Sequence, residues 1–444
     1  MNRREFIEWC LAGTTVAILP VDVDGRTVIN TPIGINKQIN GYGYPRKFAY
    51  AISGDLSNKL GEGSNQVGLA RFDAVVLNIY PRSDIRYNGR TWQAVVAKIR
   101  ELNPDILLGA YAIIEETKND SNKETNVDID KYTKVQHENW WLRTRAGAKV
   151  QSYRASCAIN GSRYSAPDAS GMRWPQWLAK RDFDKFFSPA LISGKGFEIW
   201  FVDNIRDKSL YLGDWDKDGL NDWSNGATAL SAYRGMNTDY FAAMRALAPH
   251  MILMGNAPCD LSMYPKALDA SLNEAMFGLR WSLGGYPPWG QGHDGSWTKM
   301  MNRYNTQFYN VNTELVVFQA QGLSTDYQLF RYALCSCLLN NGYFNYSDKS
   351  VGYLVPPWFD EYDHKLGMPI SDPRTVAWSN GVWRRDFEYG ISLVNPTTSA
   401  QTVTIEAGFR RISGSQDVAT NSGVSATGPL TIPSRDGVIL KRVG

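Results

Sequence analysis

Between residues 47 and 346, eight short apolar runs alternate with stretches of helical periodicity, and no other feature restricts the fold as much. A short apolar run between turn signals suits a strand buried on both faces, and such strands joined by helices form parallel sheets. The runs are Lys47–Gly54, Asp73–Tyr80, Asp105–Ala112, Phe197–Asn204, Met251–Gly255, Asp269–Leu272, Glu314–Ala320 and Gly342–Tyr346. Helical patterns at Thr91–Leu102, Trp174–Leu191, Thr228–Leu247, Trp297–Phe308 and Asp326–Leu339 lie among them. Eight strands with intervening helices predict an α/β fold, a (β/α)8 TIM barrel over residues 45–364. From about Thr375 the helical period is lost. Runs at Tyr389–Val394, Gln401–Glu406, Gly428–Ile432 and Gly437–Lys441 predict a C-terminal antiparallel β-sandwich over residues 365–444.

The chain opens Met1-Asn2-Arg3-Arg4-Glu5-Phe6-Ile7 and enters a weakly apolar segment. Paired arginines before such a segment mark residues 1–24 as a twin-arginine-type signal, hence a secreted or periplasmic bacterial protein; an ordinary amphipathic N-terminus is the other reading. The apolar run is too short to span a bilayer, so no integral membrane domain is expected. A net charge of +3 from nearly balanced acids and bases points away from nucleic acid. Four scattered histidines and no CxxC argue against zinc, and so against a metal-dependent hydrolase or deacetylase on the same barrel.

Chemistry on such a barrel is built where the strands end. Phe197-Glu-Ile-Trp-Phe-Val-Asp203-Asn204 stops abruptly in polar residues that a strand buried on both faces would not carry inward without partners, so Asp203 sits at the exit of the fourth strand. Ser271-Leu272-Asn273-Glu274 repeats the pattern on the sixth. Two carboxyl groups across a barrel mouth are what glycosidic cleavage requires, with about 5 Å between them for retention and about 6.5 Å or more for inversion. Asp203 and Glu274 are the candidate catalytic pair, although Asp203 could cap a turn and Glu274 could open a helix.

Fifteen Trp and 23 Tyr, several of them in Gly/Pro-rich stretches, suit stacking on sugar rings. Trp140, Trp141, Trp281 and Trp289 are candidate substrate-binding aromatics, with Tyr80 and Tyr111 near strand exits. Asn78, Asn204, Asn256, Asn273, Gln319 and Asn345 are polar candidates for the same cleft; Asp55, Glu115, Gln321 and Asp348 also fall near strand exits. In the segment from Asp214 to Asn225, Asp214, Asp216, Asp218, the Leu220 carbonyl and Asp222 have the spacing by which a turning loop wraps calcium, with Gly219 at the tight turn. Asn225 replaces the usual bidentate Glu, so a structural calcium site and a solvated acidic turn both stay open.

Phe197–Asn204, the acidic turn at Asp214, the Asn273-Glu274 pair, Lys365-Leu-Gly-Met-Pro369 and Phe387-Glu-Tyr-Gly-Ile-Ser-Leu-Val-Asn-Pro396 together resemble a group of bacterial glycoside hydrolases, the hypothetical glycosyl hydrolase family 15. That group is distantly similar to endo-α-1,4-polygalactosaminidases. The resemblance implies a TIM barrel with a C-terminal β-domain, a polysaccharide or oligosaccharide substrate, and an α-linked or amino-sugar polymer as one form of it. By analogy with barrel glycosidases of the α-galactosidase type, it makes Asp203 the nucleophile and Glu274 the acid/base. A non-catalytic polysaccharide-binding protein on the same scaffold is the alternative.

Overall fold

The structure is a computed structural model that describes residues 38–53, 59–79, 87–257, 261–287 and 296–443. The signal segment, Asp55, Tyr80 and Trp289 lie outside the described residues.

Eight parallel strands form one sheet: β1 (Phe48–Ala51), β2 (Ala74–Leu77), β3 (Leu107–Ile113), β6 (Ile199–Asp203), β7 (Ile252–Asn256), β8 (Ala270–Phe277), β9 (Val316–Gly322) and β10 (Tyr343–Asp348), in that order. The missing numbers belong to a hairpin inserted after β3, β4 (Glu116–Lys118) with β5 (Ser156–Ala158). The last strand returns to the first, because the Phe344 amide donates to the Arg46 carbonyl at 2.8 Å and Asn345 Nδ2 to the Phe48 carbonyl at 2.9 Å. Each predicted strand is therefore present, as the TIM-barrel reading requires.

Side chains alternate along a strand, so each apolar run fills two cores. Phe48, Ala74, Leu107, Ile199, Phe201, Ile252, Met254, Ala270, Leu272, Val317 and Tyr343 pack inside the barrel. Their neighbours Trp200, Val202, Leu253, Val316 and Phe344 face the outer helices. These helices are α1 (Gly63–Ala70), α2 (Trp92–Leu102), α3 (Ile129–His137), α4 (Trp174–Asp182), α5 (Ala227–Leu247), α6 (Trp297–Asn310) and α7 (Tyr327–Cys337). α2 shows why they form: Thr91 Oγ1 accepts the Ala94 amide at 3.3 Å, Trp92, Val95, Val96 and Ile99 make one buried face, and Asn103-Pro104 ends the helix. The predicted helix to Leu191 is α-helical only to Asp182; a π turn at Phe183–Phe187 and a short 3-10 turn at Pro189–Leu191 follow, since Pro189 cannot continue the ladder.

The C-terminal region is antiparallel. β11 (Trp383–Phe387), β12 (Gly390–Asn395), β14 (Phe409–Arg411) and β16 (Asp436–Arg442) form one sheet, and β13 (Gln401–Ile405) pairs with β15 (Gly428–Ile432). Between them Ile391, Leu393, Val403, Ile405, Leu430, Ile432 and Leu440 make a separate core. The outer face of β12 and β16 packs on α7, where Arg331 donates to both carboxylate oxygens of Asp436 (3.0 and 2.9 Å) and pairs with Asp417. Gly437 allows this approach, since a Cβ there would meet Cys335 Sγ at 2.7 Å. Among the described residues no helix is long and apolar enough to cross a membrane.

Candidate active site

Strand parity builds the site. Ile199 and Phe201 point into the barrel, so Asp203, the last residue of β6, points the same way above them. On β8, Ala270 and Leu272 lead to Glu274; on β7, Ile252 and Met254 lead to Asn256; on β3, Leu107 leads to Tyr111. At this level the barrel lining changes from apolar to polar, and the polar groups find each other.

One amide joins the two acids. Asn256 Nδ2 donates to Asp203 Oδ1 at 2.8 Å and to Glu274 Oε2 at 2.6 Å. The nearest carboxylate oxygens are therefore no farther apart than these two bonds laid end to end. Tyr111 Oη donates to Asp203 Oδ2 at 2.6 Å, and the Asn204 amide to Asp203 Oδ1 at 2.9 Å. Tyr353 Oη donates to Glu274 Oε1, and Gln321 Nε2 donates to that tyrosine's oxygen. Burial pushes the Glu274 carboxyl up from its ordinary range and the Asp203 charge adds to the rise, while the bonds from Tyr353 and Asn256 oppose it.

Glu274 does not open a helix. It lies within β8 at an irregularity in register between Asn273 and Phe277, where Ala275 adopts φ +46°. Gln319 Oε1 accepts the Ala275 amide and Gln319 Nε2 reaches Ser347 Oγ at 3.1 Å, so this buried glutamine holds the bulge that presents Glu274. The chain leaves β6 through Asn204 at φ +60°. Arg206 fixes that turn, donating to Asn204 Oδ1 and to Glu115 Oε1 at 2.7 Å each, and Tyr233 Oη donates to the Asn204 carbonyl at 3.1 Å. Burial pushes the Glu115 carboxyl up to about 7, against the pull of Arg206.

The other predicted residues divide by position. Asn345 is buried and bonds the β1 backbone and Ser347; Asn273 is buried and donates to the Val317 carbonyl at 3.2 Å; Asn78 donates to the Ile52 carbonyl at 3.2 Å. These three tie strands together. Trp140 and Trp141 are fully buried, with indole N–H groups bonded to the Ala166 carbonyl and Gln136 Oε1, which leaves no ring face for a sugar. Trp281, on the loop after β8, is half exposed. Tyr353 was not singled out by sequence; its signal is an aromatic in a Gly/Pro-bearing loop directly after the eighth strand.

The acidic turn folds tightly, with carboxylate atoms of Asp214, Asp216 and Asp218 all within 4.8 Å of one another. Their oxygens also accept backbone amides: Asp214 takes those of Asp218 and Gly219 at 3.0 Å each, and Asp218 takes that of Leu220 at 2.8 Å. Asp222 stands outside the trio and accepts the Trp215 amide at 2.8 Å.

Residues 200–391, from within β6 to the start of β12, match the family described as hypothetical glycosyl hydrolase family 15, the group the sequence resembles, and the matched stretch contains both Asp203 and Glu274. Among solved structures, the chain is similar to the glycoside hydrolase domain of PelA from Pseudomonas aeruginosa at 17% identity, TM-score 0.41, over 69% of this chain and 96% of that one. It is also similar to an Anoxybacillus alpha-amylase at 8% identity, TM-score 0.45, over 90% and 98%. A third is the alpha-amylase of Geobacillus thermoleovorans complexed with acarbose, at 8% identity, TM-score 0.46, over 89% and 98%. A search of curated protein sequences finds no match.

Proposed function

We propose that the protein hydrolyses glycosidic bonds of a polysaccharide with retention of configuration, Asp203 acting as nucleophile and Glu274 as acid/base. The observation that carries this reading is the single Asn256 amide bonded to both carboxylates. The bridge keeps the nearest carboxylate oxygens no farther apart than its two bonds end to end, which supports the roughly 5–5.5 Å of a retaining pair over the about 6.5 Å or more of an inverting one. Unequal surroundings support the assignment of roles. A carboxyl raised by burial and by a neighbouring negative charge suits a proton donor, and Glu274 is that group. Asp203 is ringed by donors from Tyr111, Asn204 and Asn256, which fix both oxygens for attack.

In the first step Asp203 forms a bond to the anomeric carbon as the bond to the leaving oxygen breaks, and the Glu274 proton passes to that oxygen. In the second, Glu274 takes a proton from water, whose oxygen displaces Asp203 and regenerates the starting state. The resemblance to endo-α-1,4-polygalactosaminidases makes α-linked amino-sugar polymers the first substrates to test. If Asp203→Asn and Glu274→Gln leave cleavage of a responsive glycan unchanged, the assignment fails. Binding without cleavage across a glycan panel would favour a binding protein instead.

Two accessory readings go with this one. The Asp214–Asp218 turn takes a structural calcium, supported by the converging carboxylates and the loop spacing. Residues 1–24 direct export, supported by Arg3-Arg4 ahead of the apolar segment; an Arg3→Lys/Arg4→Lys variant that still reached the periplasm would contradict it.

A further inference from the structure

Asp203 and Glu274 stand toward the C-terminal ends of their strands; the opposite end of the barrel carries a cavity of about 500 Å³. Its lining comes from residues just ahead of three strands: Lys266 before β8, Glu314 before β9, and Asn340 and Asn341 before β10. Its outer wall is residues 373–375, which lead into the C-terminal sheet and are held to the barrel by the Arg374 amide on the Leu339 carbonyl at 3.1 Å. The volume falls in the roughly 300–1,000 Å³ range of small-molecule sites. Most side-chain acceptors in this lining are already bonded. Glu314, the one acid among the described lining residues, accepts Arg46 Nη1 at 2.9 Å on one oxygen and Asn341 Nδ2 at 2.8 Å on the other. Asn305 Oδ1 accepts Asn340 Nδ2 at 2.8 Å, and Asn340 Oδ1 accepts the Asn341 amide at 2.7 Å. The cationic donors are not used up: Lys266 Nζ reaches the Val311 carbonyl, Arg374 Nε the Arg384 carbonyl at 3.0 Å, and neither cation meets a carboxylate among the described residues.

Behind them Arg385, 1% exposed, lines an adjoining cavity that shares Asn341 and Pro373, and it donates to the neutral oxygens of Leu338 at 3.2 Å, Ser371 at 3.5 Å and Asn341. The acid of that second lining, Asp372, is exposed. A buried guanidinium without a counter-charge is unfavourable, and an anion bound nearby relieves it through charge rather than contact. Tyr309, at the end of α6, is 80% exposed on the lip of the first cavity and offers a flat ring. A single exposed aromatic is ordinary on a surface, but here it adjoins cations and amides that suit an oxyanion carried on a sugar. We propose that this seam between barrel and C-terminal domain binds an anionic sugar, its carboxylate or phosphate taken by Lys266 and Arg374 and its ring laid on Tyr309. The site is independent of the pairing of Asp203 with Glu274 at the barrel mouth.

The test is calorimetric titration of the full chain carrying Asp203→Asn, at low ionic strength, with α-1,4-trigalacturonate, galactose 1-phosphate, neutral α-1,4-galactotriose and inorganic phosphate. At least one acidic sugar should bind about tenfold or more tighter than the neutral one: the uronide if the source is an acidic polysaccharide, the phosphate ester if it is a sugar phosphate. Adding Lys266→Gln/Arg374→Gln should raise that Kd at least about tenfold, the loss of charge-assisted hydrogen bonds, and added salt should weaken binding. Adding Tyr309→Ala should weaken the acidic sugar and leave inorganic phosphate unaffected. These three side chains are exposed or half-exposed, so the melting temperature should stay where it is. Acidic and neutral sugars binding alike, or a Kd that the double substitution leaves unchanged, overturns the proposal. Inorganic phosphate binding as tightly as the acidic sugar overturns it too, since the ring would then contribute nothing.

Discussion

Replacing Asn256 with leucine keeps the branched outline of the side chain, at somewhat greater bulk, and removes the amide that bridges the two acids. Asn256 is buried, and its Nδ2 holds Asp203 Oδ1 at 2.8 Å and Glu274 Oε2 at 2.6 Å, so Asn256→Leu breaks two bonds to carboxylates at once. A hydrogen bond to a charged group is worth about 1.5–3 kcal/mol, so losing one in the transition state lowers kcat/KM by about 10- to 100-fold. The pH profile should move as well. The Asn256 bond opposes the rise of the Glu274 carboxyl, and without it that group holds its proton to higher pH. Activity that depends on protonated Glu274 is lost as pH rises through its pKa, so the alkaline limb of kcat/KM moves upward in the variant. The assay is kcat/KM against pH on a glycan that the wild type cleaves, with the melting temperature as a check on folding. An unchanged rate, or an alkaline limb that stays or moves down, would refute the coupling of the two acids through this amide.

Three further outcomes follow from the same structure. The Glu115 carboxyl is pushed up to about 7 in the folded chain, so the native state binds more protons than the unfolded state between about pH 4.5 and 7, and stability falls as pH rises through that window. Glu115→Gln should remove up to about 3 kcal/mol of this dependence in denaturant unfolding at pH 5 and pH 8; an unaltered difference would count against it. Arg331→Met strands Asp436, buried where β16 meets α7, and should cost about 3–5 kcal/mol, read by calorimetry. An unchanged melting transition would mean that the contact between domains does not rest on this pair. Millimolar calcium should stabilise the wild type by about 1–2 kcal/mol if the Asp214–Asp218 turn binds in the range of extracellular modules, and should leave Asp214→Asn/Asp216→Asn unaffected; equal responses to calcium and magnesium in both proteins would reduce the turn to a solvated one.

The barrel was legible because its strands are buried on both faces. Runs such as Ile199–Val202 and Ile252–Gly255 read as strands, and an abrupt polar residue at their ends located the mouth. Asp203, Asn256 and Glu274 could be nominated on that ground alone. What the sequence reading blurred was parity. In Asp203-Asn204 and Asn273-Glu274 both residues of each pair were nominated, yet side chains alternate along a strand. Asn273 accordingly faces the β9 backbone, and Asn204 lies beyond the strand at positive φ, held by Arg206. Tryptophan content misled at Trp140 and Trp141, because large rings fill cores as readily as they line clefts. The hairpin of β4 and β5 is not legible in the sequence, since three-residue strands leave too little alternation to detect. β11 and β14 escaped for related reasons: Trp-Arg-Arg-Asp-Phe buries two arginines against the usual pattern, and Phe409–Arg411 is three residues long.

Retention depends on the closeness of the two acids, and the stereochemistry of the first product reports it most directly. Proton NMR of the anomeric region, recorded while a cleaved glycan is still turning over and before mutarotation, should show the new reducing end with the configuration of the bond that was broken. The opposite anomer appearing first would mean that a water attacks between Asp203 and Glu274, and would contradict the proposed retaining pair joined by Asn256.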